Sequence, residues 1–239
     1  MSKWKRPSSV PIPTTWCTFE GKKSKKKYWI QDLTDEYKDE VIEYMLNQFM
    51  IDEPLGRFSN FSNKTYPKDF LALKQMWYNT LENNLALICL TKDDNGKPII
   101  AAMNCTTICS VYDEKQVTEE GGKILQTLMF VKALVDPFKT LNITEYLDAL
   151  GLYVLPEYRG DGLGFELLKA REPLSRACGI KASITLFSSI VSQTLAERAG
   201  FEDLVAIDYA EIERRNPKLK YPGIQSHTKS LRFMYILYK

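Results

Sequence analysis

Apolar, β-branched and aromatic side chains dominate the run from Ala149 to Leu155, and an apolar stripe at helical spacing follows it. The run is short and ends at Pro156, which cannot donate to a sheet ladder, so it predicts a buried strand. The stripe predicts an amphipathic helix. Its members are Leu163, Leu167, Ala170, Leu174 and Ala177. We therefore expect a strand, a short turn and a helix in this order, with a bend or restart of the helix at Pro173.

The same patterns extend over the rest of the chain. Six further strands are predicted at residues 28–33, 85–91, 99–111, 181–187, 204–212 and 231–238, which makes about seven in all. Helices are predicted after Thr34, which can cap the first of them, after Pro67, across residues 122–141 and through 195–198. Residues 216–230 are predicted to form a loop. Strands alternate with helices and end in an antiparallel pair. The predicted fold class is therefore mixed α/β, a single domain with one mixed sheet flanked by helices.

Residues 1–27 are polar and contain five lysines between Lys22 and Lys27. A nuclear-localisation or membrane-surface element is one interpretation of such a run. A solvated arm is the other, and we favour it because the cluster is single and short. The expected organisation is a basic arm at residues 1–27 and one folded domain at residues 28–239, whose first strand is the one at 28–33.

Composition narrows the possible functions. A hydrophobic content of 44% is enough for a hydrophobic core. A net charge of +2 produces no strong positive electrostatic field that would favour binding of nucleic acid. The five cysteines lack paired zinc spacing and there is one histidine, so we expect no metal site. Cys105 and Cys109 fall on one face of a predicted strand, which indicates buried thiols. With no signal peptide and no 18-residue apolar run, the chain is expected to be a reduced, cytoplasmic protein without a membrane contact.

Three glycines alternate with other residues in the turn before the predicted helix: Gly160, Gly162 and Gly164, directly after Arg159. A strand, a glycine turn and a helix aim bare backbone N–H groups at an anion, because no Cβ blocks the approach. Arg159 adds a planar donor fork that suits phosphate. A glycine-rich surface turn without a ligand is the simpler alternative.

Two common phosphate motifs do not fit this turn. The dinucleotide fingerprint requires a glycine where Phe165 stands, and an acid about twenty residues later, but residues 181–189 contain none. A P-loop requires Gly-Lys followed by Ser or Thr, whereas Gly122-Lys123 is followed by Ile124.

The segment Arg159-Gly160-Asp161-Gly162-Leu163-Gly164 resembles the acyl-CoA signature of the Gcn5-related N-acetyltransferase (GNAT) superfamily, Arg/Gln-x-x-Gly-x-Gly/Ala. Ala199-Gly200-Phe201 after a short helix is similar to a second trait of that superfamily. The resemblance implies a sheet whose central parallel strands splay apart, with acyl-CoA in the gap. Gly151 inside the first of these strands is compatible with the bulge that starts a splay.

Three further segments resemble the insect arylalkylamine N-acyltransferases, and together they extend from about Trp29 to the C-terminus. Asp52-Glu53-Pro54-Leu55 looks like their Asp-Glu-Pro-Leu element, and the serines of Phe187-Ser188-Ser189-Ile190-Val191-Ser192 look like their Ser-Ser-x-x-Ser segment. Pro222-Gly223-Ile224-Gln225 resembles their Gly-Ile-Gln before the last strand.

The resemblance implies roles for individual residues. Glu53 would be the general base, and Ser188 and Ser192 would assist near the thiolate and the amine. The residues implied to hold acetyl-CoA are Leu152, Tyr153, Val154, Arg159, Gly160, Asp161, Gly162, Leu163, Gly164 and Ser189. Structural roles stay open beside these: a turn carboxylate before proline for Glu53, an N-cap for Ser188 and a solvated first-turn hydroxyl for Ser192.

The resulting hypothesis is an acetyl-CoA-dependent N-acetyltransferase, acting as a monomer on a small primary amine of the dopamine, serotonin, octopamine or tyramine type. An alkylamine is an ammonium ion at pH 7, and a carboxylate whose pKa is raised by an apolar pocket can take its proton. Transfer is then direct, in a ternary complex. The alternatives are a polyamine, agmatine or peptide N-acetyltransferase, and a non-catalytic acyl-CoA-binding module. Tyr66, Trp77, Tyr78 and the 216–230 loop favour a covered aromatic pocket over the open cleft that a peptide requires.

Overall fold

A single mixed α/β sheet organises the part of the chain that the computed structural model describes, residues 4–113 and 122–238. Its eight strands are β1 (Thr15–Glu20), β2 (Lys27–Asp32), β3 (Leu87–Lys92), β4 (Pro98–Ser110), β5 (Glu145–Val154), β6 (Ala182–Phe187), β7 (Glu202–Asp208) and β8 (Ser230–Leu237). They lie in the order β1-β2-β3-β4-β5-β6-β8-β7, and β5–β6 is the one parallel pair among them. The predicted fold class is confirmed, with one strand more than the seven expected.

Helices connect the strands and cover the sheet. They are α1 (Asp35–Tyr44), α2 (Met50–Asp52), α3 (Pro54–Arg57), α4 (Pro67–Leu81), α5 (Lys123–Lys132), α6 (Pro137–Leu141), α7 (Leu163–Ala177), α8 (Ile190–Arg198) and α9 (Tyr209–Arg215). A π-helical segment, Met45–Phe49, joins α1 to α2, and 3₁₀ turns lie at Pro156–Tyr158, Pro217–Leu219 and Ile224–Ser226. Among the helices of the described segments, none is long and apolar enough to cross a membrane.

Three predicted elements differ from the structure. The helix expected across residues 122–141 is divided, because Asp136 accepts hydrogen bonds from Phe138 N and Lys139 N and thereby starts α6 at Pro137. The strand expected at 204–212 ends at Asp208, and its last residues form α9, whose buried side chains Tyr209 and Ile212 follow helical spacing. Helix α7 continues through Pro173 without a restart.

The polar N-terminal segment is built into the fold at two places. Thr15–Glu20 pairs antiparallel with β2, so the first strand is β1 and the prediction that 28–33 comes first is wrong. Arg6 forms a buried ion pair with Asp32 at 2.8 Å and donates to the Asn84 carbonyl. β1 is short and has no fully buried residue, and the prolines and polar residues around it in the sequence do not indicate a strand.

Apolar side chains fill both faces of the sheet. One core lies under α1 and α4 and includes Met45, Trp77 and Cys105, with Cys109 packed against it. The other lies under α7 and includes Leu163, Leu167 and Leu174. The expectation of buried thiols therefore holds for Cys105, whereas Cys109 is half-buried at the edge of the same core, and neither forms a disulfide.

Strands β5 and β6 pair at only two positions, Leu147↔Ser183 and Asp148↔Ile184, and then separate. A bulge in β5 accompanies the separation, since Asn104 opposes Leu152 whereas Thr106 opposes Ala149. Gly151 lies in this bulge with φ +117°, and a Cβ there would come within 2.3 Å of the Met45 methyl carbon. Both the splay and the glycine bulge that the sequence suggested are present.

Candidate active site

The gap between the separated strands opens into a cavity of about 2290 Å³. Its walls come from β5 beyond the bulge, the end of β6, and the starts of α3, α7 and α8. Pockets for one small molecule commonly measure roughly 300–1,000 Å³, so this cavity has room for two substrates together. It brings together residues far apart in the sequence, including Glu53, Tyr153, Gly162, Phe187, Ser188 and Ser192.

The glycine turn forms one end of the cavity. Gly160 and Gly162 have φ of +93° and +92°, a left-handed conformation that L side chains rarely adopt. Gly162 is the N-cap of the 15-residue helix α7, whose first backbone N–H groups have no partner inside the helix. A Cβ on Gly164 would lie 3.3 Å from the Leu195 side chain, so this position also favours glycine. The turn is therefore shaped for close approach of an anion to the backbone.

Arg159 lies beside this turn and is already engaged. Its Nη2 contacts Asp52 Oδ2 at 2.6 Å, its Nε donates to the Val154 carbonyl, and its guanidinium lies 5.4 Å from the centre of the Tyr153 ring. Because Asp52 directly precedes Glu53, the ion pair links the phosphate side of the cavity to its acidic side. Asp52 was not among the predicted site residues.

Asp161 belongs to the glycine turn, but its carboxylate turns away from the cavity. It accepts hydrogen bonds from Lys23 N, Ser24 N, Ser24 Oγ and Tyr28 Oη at 2.5–2.8 Å. Burial by itself would raise the pKa of Asp161, but these hydrogen bonds, those from Ser24 foremost, lower it to about 2. Its side chain thus fixes the loop before β2, and the cofactor contact predicted for Asp161 is left to its backbone.

The free edge of β5 forms the floor between the two ends of the cavity. Leu152, Tyr153 and Val154 pair with β4 on one side, and on the β6 side these three residues pair with no strand in the described part of the chain. Backbone groups at such an edge are open to hydrogen bonding with an extended ligand. This placement agrees with the predicted contacts to the pantetheine amides, which stay a prediction.

Glu53 directly follows α2 and is the N-cap of α3, where its Oε2 accepts a hydrogen bond from Gly56 N at 2.7 Å. The carboxylate therefore does have the structural role that the proline context suggested, and it lines the cavity as well. Burial raises the pKa of Glu53, while hydrogen bonds from the Ser188 side chain and from the Gly56 and Leu55 backbone lower it, and the net direction is upward. A carboxyl group with a raised pKa at a cavity wall is suited to accept a proton.

The three serines at the start of α8 have different roles. Ser189, not Ser188, is the N-cap, since Ser189 Oγ accepts from Ser192 N at 3.1 Å. Ser192 is not a solvated hydroxyl, because it completes a capping box by accepting from Ser189 N at 3.3 Å and donating to the Ser189 carbonyl. The interaction of the Ser188 side chain with Glu53 lowers the pKa of that carboxyl, and the Ser188 carbonyl accepts from Tyr209 Oη at 3.1 Å.

Arg171 of α7 is a residue of the gap that the sequence analysis missed. It is 1% exposed and donates to Asn104 Oδ1 at 2.8 Å and Thr185 Oγ1 at 2.8 Å, and Asn104 in turn donates to the Gly151 carbonyl. Burial lowers the pKa of Arg171 to about 10, against the attraction of Tyr238 and Asp148. The guanidinium thus ties the bulge of β5 to β6 across the splay. Its position four residues after Leu167, on the apolar face, was the available signal.

Aromatic rings form the wall near Glu53. Phe49 packs edge-on against Trp77 and Tyr153, with ring centroids 6.4 and 6.2 Å apart. Of the three aromatic residues expected to cover the pocket, Trp77 lines it, but Tyr66 is exposed and stacks on Phe61. The third, Tyr78, is also outside the lining and donates to Asp39. The loop at residues 216–230 contributes His227.

No group of three or more His, Cys, Asp or Glu side chains in residues 4–113 and 122–238 is arranged to hold a metal ion. The polar groups of the cavity include the Glu53 carboxyl with its raised pKa, several hydroxyls and the glycine turn. This set can hold a phosphate-bearing acyl donor at one end and deprotonate a nucleophile at the other.

Comparison with known proteins supports the same chemistry. The model of the acetyltransferase (GNAT) family matches residues 26–201. A candidate insect arylalkylamine N-acetyltransferase, number 7 of the yellow fever mosquito Aedes aegypti, is 30% identical with a TM-score of 0.89, over 98% of this chain and 99% of that one. A search of curated protein sequences found no significant match.

Two more distant structures share the fold. Arylalkylamine N-acetyltransferase 2 of Aedes aegypti is 21% identical with a TM-score of 0.74, over 89% of this chain and 99% of that one. A polyamine N-acetyltransferase of Drosophila melanogaster, described as catalysing the formation of N-acetylagmatine, is 17% identical with a TM-score of 0.71, over 88% and 99%.

Proposed function

The chain belongs to the acetyltransferase (GNAT) family, and on that premise we propose that it transfers an acetyl group from acetyl-CoA to a small primary arylalkylamine. The observation that carries the proposal is the position of Glu53. Its carboxyl group, with a raised pKa, shares one cavity with the glycine turn and the free edge of β5. A proton acceptor and an acyl-donor site therefore face the same space.

The residues of the turn fit the chemistry of an acyl-CoA. Gly160 and Gly162 leave the backbone bare where a Cβ would obstruct a phosphate, and α7 presents its N-terminus there. The open edge of β5 at Leu152–Val154 suits an extended chain that contains amides. In this proposal the turn binds the pyrophosphate, with Ser189 at the opposite wall of the gap.

Glu53 acts first on the amine. The ammonium nitrogen gives one proton to the Glu53 carboxylate, either directly or through water, and its freed lone pair forms the new C–N bond at the thioester carbonyl. The C–S bond breaks, the thiolate takes up a proton, and the nitrogen loses its second proton to become an amide. No covalent enzyme intermediate is required, so no cysteine–histidine pair is needed.

Ser188 and Ser192 assist this transfer from the same end of β6. In this proposal the Ser188 hydroxyl, whose interaction lowers the pKa of Glu53, donates to the carboxylate and so orients the base. Ser192 holds the first turn of α8 through its capping box and also lines the cavity.

The lining favours an aromatic amine over a polyamine. Phe49, Trp77 and Tyr153 present ring surface next to Glu53. Asp52 and Asp148, which are among the other carboxylates that line the cavity, are already paired with Arg159 and Lys132 and so are less available to a second ammonium group. Agmatine and polyamines remain the second candidate, since the Drosophila enzyme with this fold acts on that class.

A substrate screen tests the proposal. Free-thiol release from acetyl-CoA is measured with dopamine, serotonin, octopamine and tyramine, with agmatine and spermidine, and with a peptide bearing a free N-terminus; Glu53→Gln is the matched control. We expect the highest kcat/KM with an arylalkylamine. A preference for agmatine or spermidine would overturn the substrate class, and acetyl-CoA binding without thiol release from any amine would indicate a non-catalytic module.

A further inference from the structure

The loop between β1 and β2, residues 21–26, lies directly on the glycine turn; we call it the lysine loop. Carbon atoms of the Lys22 side chain lie 3.4–3.8 Å from the position that a Cβ on Gly162 would occupy. Lys23 Cδ lies 3.4 Å from the corresponding position on Gly160. Lys22 also lines the cavity. The two positive-φ glycines thus face both the cavity and the stems of two lysines.

The lysine loop is held in this place by several bonds. Asp161 accepts from the backbone N–H groups of Lys23 and Ser24, and Lys22 N donates to the Asp161 carbonyl. Inside the loop, Gly21 N donates to the Lys26 carbonyl at 2.8 Å, and a Cβ on Gly21 would meet the Asp161 carboxylate at 2.7 Å. Because the loop is already ordered, binding of a ligand to it does not incur the entropic cost of ordering the loop.

The cations of this region differ in their partners. Arg159 is paired with Asp52, and Lys25 contacts Glu20 at 3.8 Å. Lys22 and Lys23 have no carboxylate within ion-pair distance among the residues the structure describes, and the Lys22 ammonium instead lies 5.8 Å from the centre of the Phe165 ring. The Asp161 carboxylate accepts its hydrogen bonds from N–H and hydroxyl groups and is not in ion-pair contact with either ammonium group. The side-chain stems of two lysines, neither in an ion pair with a residue that the structure describes, therefore lie against the anion-binding turn.

We propose that the lysine loop is the second wall of the phosphate site, where the Lys22 and Lys23 ammonium groups bind phosphate groups of the acyl-CoA. Asp161 is the positioning residue that holds the loop there. The inference rests on the proposed function, which assigns the glycine turn to acyl-CoA. The flexible lysine stems reach either the pyrophosphate or the ribose 3′-phosphate, which share one chemistry.

The test is calorimetric titration of CoA and of 3′-dephospho-CoA into the full chain and its variants. We expect Lys22→Ala and Lys23→Ala to weaken CoA binding by roughly three- to tenfold each, as contacts between solvated cations and phosphate do. The matched control is Lys25→Ala, which removes the same charge from the same loop at a side chain bound to Glu20. It should change the affinity less than twofold.

The two ligands identify the phosphate. If the lysine variants lose affinity for CoA alone, the contact is with the 3′-phosphate; equal loss for both ligands places it at the pyrophosphate, and either result supports the proposal. A Lys22→Ala/Lys23→Ala protein that binds both ligands as the wild type does, or a Lys25→Ala variant that loses as much as they do, would overturn it. Failure of the wild type to bind CoA would instead refute the proposed function.

The positioning role of Asp161 has its own test. Asp161→Asn keeps the size of the side chain but loses acceptor capacity, so the loop should loosen and CoA affinity should fall about threefold or more, with the fold checked by circular dichroism. Added to the double lysine variant, Asp161→Asn should cause little further loss, because the lysines through which it acts are gone. An additive loss in the triple variant would show that Asp161 does not act through the loop.

Discussion

Replacing Glu53 with Gln tests the base directly, because it removes the proton acceptor and keeps the shape of the side chain. The amide oxygen can still accept the hydrogen bond that Gly56 N now donates at 2.7 Å, so the start of α3 is retained. A positioned general base contributes about 10²–10⁴-fold to the rate, which corresponds to about 2.7–5.4 kcal/mol of activation free energy. We expect kcat to fall by that factor. Affinity for acetyl-CoA should change little, since the glycine turn is untouched.

Although Glu53→Gln should lose activity, its thermal stability at alkaline pH should equal or exceed that of the wild type. Burial raises the pKa of Glu53 above its ordinary value of 4.5, so the folded protein holds this proton more tightly than the unfolded chain. As pH rises from the pKa of Glu53 in the unfolded chain through its raised pKa in the folded protein, the wild type loses stability. Above both pKa values it bears the full cost of burying the ionised carboxylate. Glu53→Gln has no such cost and should melt at an equal or higher temperature at pH 8, with the difference shrinking towards pH 4.

A second variant separates catalysis from capping. Glu53→Ala removes the base and the cap together, and loss of an N-cap acceptor costs about 0.5–2 kcal/mol. We expect both variants to lose most of their activity and only Glu53→Ala to be less stable than the wild type at pH 8. Thermal melts and denaturant titrations at pH 4 and pH 8 provide the measurement.

Steady-state kinetics across pH complete the assay. In the wild type, kcat/KM should rise with pH along a limb that reports the ionisation of the base and of the free amine. The limb assigned to Glu53 should be absent from the residual activity of Glu53→Gln. A variant with near-wild-type kcat and an unchanged limb would show that Glu53 is only the cap of α3, and the reasoning from burial to catalysis would be refuted.

Other variants probe the remaining parts of the site. Gly162→Val should abolish measurable acetyl-CoA binding by calorimetry, because φ +92° disfavours a branched side chain and a Cβ would crowd Lys22; unchanged binding would remove the turn from the site. Ser192→Ala should raise the activation free energy by about 1–3 kcal/mol, which lowers kcat, and should lower the free energy of unfolding by less than that. A kcat equal to that of the wild type would leave Ser192 as a capping residue only. Asp52→Asn should tighten acetyl-CoA binding two- to fivefold by releasing Arg159 from a half-exposed ion pair, and weaker binding would contradict this.

The sequence by itself determined the local features of this protein. The strand, glycine turn and helix from Glu145 to Ala177 follow from apolar periodicity and from the positions of glycine and proline, which act over a few residues. The bulge at Gly151 and the end of α2 before Pro54 are local in the same sense. These elements hold the glycine turn and Glu53, two parts of the predicted site; the serines after β6 are the third.

Local patterns could also mislead where several roles fit one residue. The three serines after β6 all suit a helix start, and only the orientation of the chain leaving the sheet decides that Ser189 caps α8. Similarly, the alternation in Thr15–Glu20 is too short and exposed to be separated from a polar arm, and its pairing with β2 is what makes it a strand.

The tertiary structure alone decided which distant residues meet. Lys23 and Asp161 are 138 positions apart, and Arg159 and Asp52 are 107 apart, yet each pair is in contact. Such contacts depend on the order of strands in the sheet and on the splay of β5 from β6, which no local pattern encodes. For this reason the sequence marked Asp161 as a phosphate-site residue and the lysines as a free arm, whereas the fold turns Asp161 away from the cavity and sets the lysines against it.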